Sequence, residues 1–165
     1  MYMNNHSYAV ISVENGHECV IDLHTSKYMT DAIYHDVEAK YKNGFVLHRI
    51  DGMYDVFDSD CKIIVDKLDW QDAYSSNLIK VRKNDMINVI NMATGKIIMP
   101  KWIPSRVQLY IVTPHDSNGT FKHQKPGIYI NRQKYDDFGN FASVEQIYID
   151  FNGKVQITED NPFED

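Results

Sequence analysis

Leucine, alanine and glutamate are scarce in this chain of 165 residues, with 5, 6 and 6 copies. These are the residues that lose least in a helix, so their shortage excludes a helical bundle. Cysteine is nearly absent: Cys19 and Cys61 lie inside apolar strand-like runs without a CxxC or Cys/His pairing. They read as small buried hydrophobes of a reducing compartment, with a single disulfide as the alternative. No apolar run approaches the roughly 18 residues of a membrane span, and the start, Met-Tyr-Met-Asn-Asn-His-Ser, has neither the basic nor the apolar region of a signal peptide. A cytoplasmic protein is expected, or one packaged in a phage particle assembled in the host cytoplasm, and no membrane partner. Positive charge is also short, 17 Lys and Arg against 23 acids for a formal net charge of −6. Nucleic acid is therefore an improbable partner. The basic clusters Lys80, Arg82, Lys83 and Lys122, His123, Lys125 read as solvated strand faces and a loop.

What is abundant points one way. Ile, Val, Tyr, Phe, Trp and Thr together number 57 against 17 for Leu, Ala and Glu, and Asp outnumbers Glu by 17 to 6 beside 13 Asn. β-branched and aromatic residues suit pleated strands, while Asp and Asn bond to their own backbone in turns. Many short strands joined by Asx-rich turns are predicted.

The first two thirds repeat. A slide of 33 residues lays Phe45 to Asp58 over Leu78 to Asn91, with Arg49/Arg82, Met53/Met86 and Val56/Val89 identical and Asp55/Asn88 and Asp58/Asn91 alike in type. A slide of 36 residues sets Val10, Gly16, Val20 and Asp22 on Val46, Gly52, Val56 and Asp58. Each copy reads as strand, tight turn, strand, Gly-Lys-type turn, short strand. In the middle copy the turn is Asp51-Gly52, the type I′ signature; in the next it is Asn84-Asp85. One such unit cannot bury its own apolar face, so copies must stack or pair. A single β-repeat domain over 1–158 follows, with copies near 8–42, 43–76 and 77–112, a partial copy at 127–158, and an acidic tail at 159–165 without a fold signal.

The strands, the Tyr-Asp-Val-Phe-Asp and Ile-Asn-Val-Ile-Asn stretches, the Gly-Lys-Ile-Ile turn and the following Asp69-Trp70 or Lys101-Trp102 resemble the WG-repeat (KWG-type) proteins of bacteria and their phages. The resemblance covers residues 44–103 best, 8–30 weakly and 143–157 as a fragment. Asp55 and Asn88 stand where the signature has glycine, and Tyr54 and Ile87 where it has tryptophan. Because that family is treated as an interaction module, the resemblance implies a protein partner and supplies no catalytic residue.

Between the first two copies, Ile33, Val37 and Tyr41 recur at i, i+4 and i+8, with Thr30 as N-cap and Asn43-Gly44 as a stop; a short helix is predicted over 30–42. A strand is predicted over 105–112, a loop over 113–120, a turn over 136–140 and a hairpin over 143–157.

Candidate chemistry is thin. Asp22 with Glu38-Ala-Lys40 has the form of the Asp…Glu-x-Lys set of metal-dependent nucleases, in which carboxylates hold the ion and Lys orients water. On a helix Glu38 and Lys40 would point about 200° apart and could not converge. His17, His24, His35, His115 and His123 have no metal-ligand spacing, and His48-Arg49-Ile50-Asp51 shares three letters with a kinase catalytic loop without its glycine-rich companion. Trp70 and Trp102 follow equivalent turns and read first as packing between copies, then as an aromatic binding face. With Tyr74, Tyr129 and Tyr148 they form the candidate interaction surface, because tyrosine is enriched at interfaces.

The sequence thus predicts a mainly β protein of three to four imperfect antiparallel hairpin repeats in a curved or closing sheet, with one short helix. It is expected to be a non-enzymatic interaction or structural module, without cofactor or metal, joining other protein subunits or itself in an assembly such as a phage particle. A nuclease built on Asp22, Glu38 and Lys40, or a small-ligand binder, are the alternatives.

Overall fold

The computed structural model describes residues 2–3, 7–75, 77–115 and 124–160. Two compact units are present, Met1–Ile97 and Ile98–Asp165, so the division falls inside the third repeat copy. In the first unit a seven-stranded antiparallel meander runs β1 (Tyr2–Met3), β2 (Tyr8–Ser12), β3 (Glu18–Asp22), β4 (Tyr34–Tyr41), β5 (Gly44–Arg49), β6 (Tyr54–Asp58), β7 (Ile63–Leu68) in chain order. β1 and β7 end this order without pairing with each other, so the sheet is open among the described residues. After it come β8 (Trp70–Ala73), β9 (Leu78–Lys83), β10 (Met86–Asn91) and β11 (Lys96–Ile97), each antiparallel to the next. The second unit holds β12 (Ile103–Pro104) and a four-stranded antiparallel sheet, β13 (Gln108–Val112), β14 (Gly127–Tyr135), β15 (Phe141–Ile149) and β16 (Val155–Asp160).

The mainly β architecture predicted from composition is what the chain forms, but residues 30–42 are not a helix. Helical backbone among the described residues is confined to the 3₁₀ turn at Glu14–Gly16 and to Pro114 and His115, and Tyr34–Tyr41 is a strand. A spacing of four suits a helix, yet it is also twice the strand period of two. Ile33, Tyr34, Val37 and Tyr41 are β-formers, and Thr30 is no N-cap: its Oγ1 accepts from Val20 N at 3.0 Å. Register shifts between Tyr34 and Asp36 and between Val37 and Ala39 mark bulges in β4. The buried face accordingly moves from the even residue Tyr34 to the odd residues Val37, Ala39 and Tyr41, which hides simple alternation.

Repeat copies one and two superpose in register: Val10 faces Val20 as Val46 faces Val56, and Tyr8 faces Asp22 as Gly44 faces Asp58. The third copy departs by one residue. Phe45 pairs with Phe57 and Ile79 with Ile90, so Phe45 corresponds to Ile79 rather than to Leu78. The reason is the turn. In the third copy Asn84 and Asp85 form a two-residue turn with φ of 51° and 60°, but the middle copy spends three residues, Ile50 to Gly52. There Arg49 N donates to Met53 O, Gly52 N donates to Arg49 O, and only Gly52 has positive φ, +85°. The middle turn is therefore a three-residue loop with a left-handed last residue, not type I′.

The same two backbone bonds, first N–H to fifth carbonyl and fourth N–H to first carbonyl, recur at 13–17, 58–62, 136–140 and 150–154. At the last three, the opening aspartate's Oδ1 also accepts from the N–H groups two and four residues on. Asp22 Oδ1 similarly accepts from His24 and Thr25 N. Here the surplus of Asp over Glu finds its use, since one methylene fewer lets the carboxylate reach its own turn. The tail's first two residues, Glu159 and Asp160, extend β16; 161–165, like loop residues 116–120 and the basic Lys122 and His123, lie outside the described residues.

The core of the first unit gathers Val10, Val20, Tyr34, Phe45, Leu47, Phe57 and Cys61. Phe45 and Phe57 stack at 4.9 Å, and Tyr34 meets Phe57 edge-on at 6.1 Å. Val46 and Val56, on the opposite face, are equally buried. Coverage on both faces explains the unbroken apolar run Phe45-Val-Leu47.

Candidate functional site

The most enclosed charged group among the described residues of the first unit is Asp55, 1% exposed on β6. Its Oδ2 accepts from the Tyr34 hydroxyl at 2.7 Å and from Arg49 Nη1 at 3.1 Å, and its Oδ1 from Lys67 N at 2.8 Å. Arg49 turns its Nε and Nη2 to Asp51, which with Asp55 holds the guanidinium more basic than usual. Burial, and then the bond to Asp55, push the Tyr34 phenol far above its ordinary range. The carboxylate borders a pocket of about 480 Å³ lined also by Tyr28, Thr30, Ile33 and Cys61. With a guanidinium, a phenol and a backbone N–H already on it, Asp55 has few lone-pair positions left to offer a ligand; it fastens β4, β6 and the end of β7 together. The stretch His48-Arg49-Ile50-Asp51 resolves as a strand end and turn whose Arg49 and Asp51 pair, not a catalytic loop. Cys61 and Cys19 are free and buried. Burial and the Asp58 charge push the Cys61 thiol up to about 11, so neither is poised as a nucleophile.

The nuclease residues are placed apart in role. Glu38 and Lys40 do share a strand, β4. Asp22 closes β3 with its carboxylate committed to the His24–Thr25 turn, and those backbone bonds hold it below the usual carboxylate range. The acidic and histidine side chains that converge on Glu38 are Asp36 and His48. Spacing among histidines and cysteines carries no sign of this trio, because it joins one histidine to two carboxylates of the neighbouring strand. Asn43-Gly44 is not a helix stop: Lys42 and Asn43 form a hairpin turn, Gly44 opens β5 opposite Tyr41, and folding back about this turn brings Asp36 opposite His48.

Of the candidate interaction residues, Trp70 is 37% exposed on β8 with Lys80 Nζ 6.0 Å from its ring centroid, and Tyr74 just beyond it is also exposed. Trp102 is half-buried. Neither tryptophan belongs to the first unit's core cluster. In the basic cluster near it, Lys83 is paired with Asp66 at 2.8 Å. Tyr129 is buried and Tyr148 half-buried. With Tyr110 they form a cross-strand ladder over β13, β14 and β15, successive rings 5.1 Å apart. Tyr129 and Tyr148 donate to the carbonyls of Lys125 and Pro126, while Tyr110 accepts from Gln124. These tyrosines hold a loop end onto the sheet and leave little ring for a partner.

The exposed aromatic group of the second unit lies at the far end of the same hairpin. Tyr135, Phe138 and Phe141 are all exposed, Phe138 at 91%, and Tyr135 and Phe141 meet edge-on at 6.4 Å. The turn beneath them is fixed: Asp136 accepts from Phe138 N, Asn140 N and Asn140 Nδ2 and exchanges backbone bonds with Asn140 and Gly139. No described helix is long and apolar enough to cross a membrane. No family model matches the chain, and no curated protein matches it.

Proposed function

We propose that the chain is a non-enzymatic protein-interaction module that docks onto other subunits, or onto its own copies, through the aromatic end of the β14–β15 hairpin. The observation that carries this is Phe138, almost wholly in solvent on a turn tied by five hydrogen bonds. A large apolar ring held out rigidly loses little entropy on binding and gains its full burial. Aromatic residues of this kind form the centres of interfaces. Trp70 on β8 and Tyr74 just beyond it give the first unit smaller exposed aromatic surface of the same character. Membership of a larger assembly, a phage particle included, is supported by the resemblance of residues 44–103 to WG-repeat modules.

A photo-reactive phenylalanine analogue at position 138, expressed in the native host, tests the reading. Cross-links to a discrete protein are expected, and Phe138→Ser should weaken that association by about 2 kcal/mol, roughly thirtyfold. A protein that runs as a monomer in host extract and gives no cross-link from position 138 overturns it.

A further inference from the structure

We propose that Asp36, Glu38 and His48 form a binding site for a divalent first-row transition ion, with zinc the best fitted. One potential ligand atom from each lies within 4.8 Å of the others. Asp36 faces His48 directly across β4 and β5, with Oδ1 3.6 Å from Nδ1. A tetrahedral ion with bonds near 2.1 Å separates its ligands by roughly 3.4 Å, so this edge of the polyhedron is already set. Glu38 is the extra residue at the second β4 bulge, between Val37 and Ala39, and closing the trio takes only rotation of exposed carboxylates.

The imidazole is placed for the task. His48 is stacked on Tyr54 at 4.8 Å and on His35 at 6.0 Å, which limits the swing of its ring. Glu38 Oε1 accepts from Gln71 Nε2 at 3.2 Å, the outer-shell support that orients ligating carboxylates. A second observation lies beside Glu38. The Tyr41 hydroxyl, on a residue 9% exposed, and the Gln71 Oε1 are buried without a hydrogen-bond partner among the described residues; Gln71 is the residue whose Nε2 holds Glu38, and burial, then the charges of Asp72 and Glu38, push the Tyr41 phenol up. Unsatisfied buried oxygens next to a carboxylate are costly; water ligands of a bound cation are the donors and acceptors that could satisfy them.

The donor set selects the ion. An imidazole with two carboxylates suits zinc, cobalt, nickel or copper, whereas magnesium takes oxygen ligands and keeps its waters. The site does not use Asp22, so it is distinct from the nuclease set. Three protein ligands leave one position of a tetrahedron for water or an incoming group.

Calorimetric titration of the whole protein with Zn²⁺, and Co²⁺ titration followed by its d–d absorption, test the site. Stoichiometric binding is expected, with cobalt bands of four- or five-coordinate intensity. His48→Gln and Asp36→Asn should each weaken Zn²⁺ at least tenfold, and His17→Gln should leave it unchanged. Asp36 is 64% exposed, so its variant keeps the fold and the readout. Absence of binding, or equal affinity in wild type and both site variants, overturns the proposal.

Discussion

A single residue pair shows how the repeat tolerates chemical change. Asp55 and Asn88 occupy the same place in successive copies, Asp55 opposite Leu47 and Asn88 opposite Val81, and both are buried. Asn88 answers its burial locally, its Oδ1 accepting from Val89 N at 2.7 Å; Asp55 serves Tyr34, Arg49 and Lys67 at once. Removing the carboxylate strands a phenol, a backbone N–H and part of a guanidinium, so Asp55→Ala should cost about 3–5 kcal/mol. Asp55→Asn keeps an acceptor, and Arg49 keeps Asp51, so its cost should be nearer 1–2 kcal/mol. Urea unfolding of the two variants checks both values and their order. The sequence shows that the two positions match; that they are buried is hidden, because Asp and Asn are equally at home in the turns that fill the rest of the chain.

At the scale of the element, β4 shows how a strand can carry helical spacing. Its two bulges shift the inward side chains from one parity to the other, and a reader of periodicity sees Ile33, Val37 and Tyr41 instead. The same bulges bring Glu38 toward His48, so the feature that obscured the strand also assembled the metal-ligand trio. Hairpins were the legible elements: Asn84-Asp85, the turns ending in Gly52, Gly139 and Gly153, and the 36-residue repeat are all marked by residues that tolerate left-handed backbone. The length of a loop is less visible, and one extra residue in the middle copy was enough to displace the 33-residue alignment across a whole strand. Close packing between elements leaves almost no trace. A Cβ at Gly44 would lie 2.4 Å from Phe57 O and 2.6 Å from Met92 Cε. The methionine tip can yield and the strand backbone cannot, so Gly44→Ala should destabilise the first unit by about 2–3 kcal/mol. Thermal unfolding with far-UV and aromatic circular dichroism measures it.

Over the whole molecule the turn aspartates act together. Asp22 and Asp136 are held below the ordinary carboxylate value of 3.8 by their turn hydrogen bonds, and Asp51 and Asp66 by Arg49 and Lys83. A depressed folded-state pKa stabilises the fold fully above the unfolded value and loses that contribution as pH falls through the folded one. The melting temperature should therefore be insensitive to these groups above pH 3.8 and decline below it, which a series of thermal scans at constant ionic strength would follow. The carboxylates that tie the turns also form much of the chain's negative charge, whose isoelectric point stands near 5.6. On acidification that point is crossed first, while Asp22 and Asp136 still hold their turns. Electrostatic repulsion between copies vanishes with the fold intact, and the exposed Phe138 then faces its neighbours without a charge barrier. Acid should bring native-state clustering before unfolding, a colloidal consequence of building turns from aspartate.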